Sequence, residues 1–136
     1  MKRKSYLPPF GKVLTTSIFL ILIGGGGLVF IFAFFEPTLG PRWMFFFFIT
    51  IFGAGVALPM SYLIQRRFAS QIVSGRVLIR EAILFGVYLS LAAWLQLGRI
   101  LTNLIVVVIA IGFLLLEMLL RMAEKATFQV DEDAEN

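Results

Sequence analysis

The sequence has no cysteine and no histidine. Without thiols there is no disulfide and no thiolate nucleophile, and without imidazole there is no histidine general base; zinc and haem sites built on either ligand are excluded as well. Charge is scarce too, at 15% of residues against 60% hydrophobic, with a mean hydropathy of +0.94. A water-soluble domain of 136 residues could not hide that much apolar surface, so lipid is the expected solvent. Long polar stretches are also missing. Each crossing of a bilayer needs about 20 apolar residues, and four crossings nearly exhaust these residues, leaving none for a soluble catalytic domain. No enzyme activity, cofactor or metal is therefore expected.

What is present is four long apolar runs separated by short charged or turn-forming segments. Residues 1–12 form a basic lead with Lys2, Arg3, Lys4 and Lys12, and Pro8-Pro9 blocks a regular helix before the first run. Val13 to Phe35 then carries no charge over 23 residues, about 34 Å as a helix, enough to cross with some tilt. No small-residue cleavage site follows it, so it is read as a retained helix and not as a signal peptide. Residues 36–42, EPTLGPR, read as a tight turn. The second run is 43–64, the third 77–97 and the fourth 100–122. Residues 126–136 are acidic and are expected to be disordered. The expected fold is all-α: a polytopic bundle of four transmembrane helices spanning residues 13–125.

Orientation follows from the basic residues, which are retained on the cytoplasmic side. With the N-terminus inside, ten of the 12 Lys and Arg fall inside, leaving Arg42 and Arg99 outside. Both termini are therefore expected in the cytoplasm. Trp43 and Trp94 then fall at the outer interface, where indole rings prefer to sit. The connection at 65–80 mixes Arg66, Arg67, Arg76 and Arg80 with apolar residues, a pattern suited to an anionic leaflet, with Arg66, Arg67 and Arg76 as the expected lipid contacts. Nucleic acid is not expected, because the positive charge flanks membrane spans.

Three features could carry more than architecture. Gly24, Gly25, Gly26 and Gly27 sit mid-helix, where absent side chains permit close backbone approach or unwinding around an ion. Gly53, Ala57 and Ser61, and likewise Ala82, Gly86 and Ser90, form stripes of small residues four apart, as helix contact faces do; the partner can be internal or another subunit. Pro59 has no N–H for the carbonyl of Gly55, so a kink is expected there. The acids near the inner interface are Glu117, four residues before Arg121, and Glu81, next to Arg80; these four are expected to form one polar cluster.

The stretches PTLGPRW at 37–43, LPMSYLIQRRF at 58–68 and AAWLQLGRIL at 92–101 resemble segments of small four-helix bacterial integral membrane proteins that have no assigned activity. The resemblance implies this fold and a bacterial inner-membrane location. Small multidrug-resistance exporters differ, since they carry a glutamate deep in their first helix and this chain has none there. The polar and glycine-arginine motifs of small fluoride channels are not found either. The leading expectation is an accessory or assembly subunit that acts through helix contacts with a membrane-protein partner. The alternative is a homo-oligomeric transporter or channel, lined by the glycine quartet, Ser61, Tyr62, Glu81 and Glu117.

Overall fold

The structure, a computed structural model, describes residues 8–36, 38–68 and 75–135, without the side chains of 128–133 and 135. Residues 1–7 of the basic lead and the middle of the arginine-rich connection, 69–74, lie outside the described residues. Four helices are present among those described: α1 (Phe10–Phe34), α2 (Leu39–Phe68), α3 (Gly75–Leu97) and α4 (Asn103–Glu135). All four are long and apolar enough to cross a membrane; in α4 the qualifying segment is Asn103–Thr127.

Local chemistry explains most of the boundaries. Pro9 is extended at the start of α1, and its carbonyl accepts from the Lys12 amide at 3.0 Å. α2 starts four residues earlier than the expected Trp43, taking in Gly40 and Pro41. Proline is tolerated in a first helical turn, where its missing N–H would have had no partner anyway. α3 closes with Arg99 at a φ of 55°. The Arg99 amide donates to the Gln96 carbonyl and the Ile100 amide to the Leu95 carbonyl, the paired bonds of a Schellman ending. Thr102 caps α4 through its hydroxyl, 3.4 Å from the Ile105 amide. α4 then continues as helix to Glu135, through the stretch expected to be disordered. Its Ala, Glu, Lys and Gln residues are good helix formers, and the apolar helix before them supplies the nucleus.

The chain divides into two compact units, Met1–Ile100 and Leu101–Asn136. In the first, α2 is the middle element and runs antiparallel to both α1 and α3. Its buried core joins Val13 of α1, Ala57, Leu58 and Tyr62 of α2, and Leu78 and Ala82 of α3. These residues lie where α1 begins, α2 ends and α3 begins. The second unit is α4, none of whose described side chains is buried.

Candidate functional site: two helix seams and a buried polar pair

The seam between α1 and α2 is built on missing side chains. A Cβ placed on Gly24 would lie 2.5 Å from the backbone nitrogen of Phe52, and one on Gly27 would enter the Phe48 ring. The other half of the quartet behaves differently. A Cβ on Gly25 would make ordinary contact with the Phe52 ring, and one on Gly26 would meet nothing within 4 Å. α1 stays helical through all four.

Gly55 on α2 completes this seam. A Cβ there would sit 2.9 Å from the Cβ of Leu20 and 3.0 Å from the Ile21 amide nitrogen. The same close approach brings Ser17, only 1% exposed, to the Gly55 backbone, where its hydroxyl donates to the carbonyl at 2.6 Å. This is the carbonyl that Pro59, four residues on, cannot serve. α2 passes through Pro59 as one continuous helix, with the vacant acceptor closed from the neighbouring helix. Backbone groups freed by proline inside an apolar environment are expected to be re-satisfied in this way. Thr15 and Thr16 donate instead to carbonyls of their own helix, those of Gly11 and Lys12.

The seam between α2 and α3 joins the two expected stripes of small residues. A Cβ on Gly53 would approach the Cα of Gly86 to 3.1 Å, and one on Gly86 would collide with the Thr50 carbonyl. Ala57 and Ala82 are both buried, while Ser61 is half-buried. Ser90 reaches the Phe46 carbonyl at 3.5 Å, a carbonyl that already accepts from the Thr50 hydroxyl at 2.7 Å. The stripes are thus turned toward each other inside one protomer.

At the core end of this seam Gln65 is 5% exposed, and its Nε2 donates to Glu81 at 2.6 Å. The Gln65 carbonyl oxygen is buried and has no hydrogen-bond partner. A buried, unmatched acceptor costs free energy that a spare donor or cation could recover. Gln65 is not among the residues expected to matter, yet it is the next position, by fours, after Gly53, Ala57 and Ser61. Tyr62 is buried beside it, its ring centroid 5.3 Å from that of Phe10.

No protein-family model, curated protein or solved structure matches this chain.

The expected inner cluster divides between the two units. Arg80 is half-buried and engaged, as is Glu81, in the first. In the second, Arg121 pairs with Glu117 through Nε and Oε1 at 2.9 Å, with the Glu117 side chain 14% exposed and that of Arg121 45%. Acid before base at this spacing is the favourable order on a helix. Arg66, Arg67 and Arg76 are all exposed, and the Arg67 guanidinium lies 5.6 Å from the centroid of the Phe68 ring. Among the described residues no group of histidine, cysteine or acidic side chains could hold a metal ion.

Proposed function

We propose that the chain is a multi-pass protein of the bacterial inner membrane, with both termini cytoplasmic, that acts without catalysis as an accessory or assembly subunit. Insertion is supported by the apolar outer surface: Phe32, Phe47 and Leu114 are among many large exposed hydrophobic residues, an arrangement that suits lipid and is untenable in water. Orientation is supported by the bias of Lys and Arg. On this reading Arg66, Arg67 and Arg76 meet anionic lipid, while Arg80 and Glu81 of α3, and Glu117 and Arg121 of α4, lie toward the cytoplasmic ends of their own helices.

The observation that carries the accessory role is how the small and polar residues of α1–α3 are used. Gly24, Gly27, Gly53, Gly55 and Gly86 all face a neighbouring helix, and Ser17 closes a backbone carbonyl. Such a unit is closely packed inside and apolar outside, suited to contact with other helices. Because the chain has no cysteine, single-cysteine variants test the topology. Thr38→Cys should react with an impermeant maleimide from outside and Phe68→Cys only after permeabilisation; the reverse pattern would invert the assignment. Photo-crosslinkers at Leu114 and Phe47 test the role. They should give a discrete adduct with one membrane protein, whereas a monomer with lipid adducts alone would end the reading.

One observation favours a homo-oligomeric transporter or channel instead, the unmatched Gln65 oxygen beside Glu81. Liposomes holding wild type, Glu81→Gln or Glu117→Gln would decide it. Equal leak from all three and from empty vesicles would remove it.

A further inference from the structure

An open groove of about 300 Å³ runs between α2 and α3 at the end where α2 begins and α3 finishes. Its lining is Trp43, Phe46 and Thr50 on one side and Val87, Ser90, Leu91 and Trp94 on the other. Ligand pockets range from roughly 300 to 1,000 Å³, so the space suits part of a flexible chain and not a folded segment of protein. Its floor is chemically quiet. The Thr50 hydroxyl is bonded to the Phe46 carbonyl at 2.7 Å, and Ser90 turns toward the same oxygen. An apolar occupant is favoured against this floor, where both hydroxyl protons are already committed.

The chain next to the groove's lining is cationic. Arg42 precedes Trp43 directly, and Arg99 lies in the turn that ends α3, five residues after Trp94; both are exposed. Glu36, before α2, is the only acid in the sequence ahead of Glu81, so this end keeps a net positive charge. Arg99 also holds a left-handed backbone at the position of a Schellman ending where glycine is the usual residue. Such an outlier prompts a functional reading of the side chain.

We propose that this groove binds one acyl chain of an anionic phospholipid, with the headgroup phosphate against Arg42 and Arg99 and the two indoles flanking the glycerol region. The inference rests on the membrane reading above, which sets this end at the outer interface. It concerns a lipid site distinct from the surface contacts of Arg66, Arg67 and Arg76, which belong to the opposite end. Indole rings at headgroup level and arginine on phosphate are each favoured physically.

Both tryptophans of the chain line the groove, so their fluorescence reports its occupancy. The full-length protein would be placed in phosphatidylcholine vesicles doped with acyl-brominated phosphatidylglycerol or with acyl-brominated phosphatidylcholine. The anionic lipid should quench at lower mole fraction, by about fivefold for each arginine that contributes. Arg42→Gln with Arg99→Gln should erase the preference, and Val87→Phe, which fills the groove without touching the charges, should lower quenching by both lipids. Equal quenching by the two headgroups in wild type would overturn the proposal. So would tryptophans that neither lipid quenches, the signature of a groove covered by a protein segment or a second copy. Flotation separates the two readings. A chain that floats with the vesicles yet selects no headgroup loses this site alone, and one that does not float loses the membrane reading as well.

Discussion

The two seams of the α1–α3 unit use the same residues to different ends. Between α1 and α2, glycines admit a backbone and aromatic rings, and Ser17 then closes the carbonyl that Pro59 leaves vacant. Between α2 and α3, glycine meets glycine and carbonyl, and the polar contacts lie at the two ends, Ser90 at one and the Gln65–Glu81 pair at the other. The first seam repairs a backbone defect in the middle helix. The second retains an unmatched polar atom, the Gln65 oxygen. Small residues alone therefore do not distinguish a seam that mends the fold from one that leaves a polar atom unmatched; the hydrogen bonds do.

The largest expected effect comes from inserting a methyl group where a backbone would have to move. Gly24→Ala and Gly86→Ala should each destabilise the protein by about 2–3 kcal/mol, measured by unfolding in detergent or by steric trapping in bilayers. If either were neutral, that seam would be looser than its distances imply. Next comes the repaired carbonyl. Ser17→Ala should cost about 1 kcal/mol, yet much less in a Pro59→Ala background, where the restored N–H serves Gly55 directly. A double-mutant cycle reads this coupling, expected at about 0.5–1 kcal/mol. Zero coupling would mean that the serine does not stand in for the proline.

Smaller effects sharpen the contrast. Arg99→Gly should raise stability by about 0.5–1 kcal/mol, because glycine adopts the left-handed backbone without penalty. Ser90→Ala should change stability by less than about 0.5 kcal/mol, since its contact is long and Thr50 already serves the same carbonyl. A cost equal to that of Ser17→Ala would erase the difference between the seams. Gly26→Ala is expected to be the mildest, neutral or slightly stabilising, since nothing faces that position and alanine favours helix by about 0.5–1 kcal/mol. The glycine quartet thus separates into packing members, Gly24 and Gly27, and at least one bystander.

Much of this fold was legible in the amino-acid order. Unbroken apolar runs too long for a soluble core mark helices of membrane-spanning length, and α1 to α3 lie within four residues of the expected limits. Two differences arise from rules that propensity alone hides: Pro41 is accepted in a first turn, and α4 propagates past its apolar part to Glu135. The small-residue stripes could be seen as contact faces, but not which faces meet. Hydropathy alone places Gln65 beside Arg66-Arg67 in a connection, where the apolar run stops, although the four-residue period of Gly53, Ala57 and Ser61 leads straight to it.

The sequence by itself determined where the helices lie, which positions are small, and that Pro59 strands the Gly55 carbonyl. Each depends on the chain within a few turns of itself: on apolar length, on side-chain size and on a missing N–H. Only the tertiary structure decided that Ser17, and not its neighbours Thr15 and Thr16, supplies the missing donor, that Gly24 and Gly27 are filled while Gly26 is not, and that Gln65 meets Glu81. Those outcomes depend on the rotation and depth of one helix against another, set by many weak contacts summed along each seam, and no local pattern of residues encodes that sum.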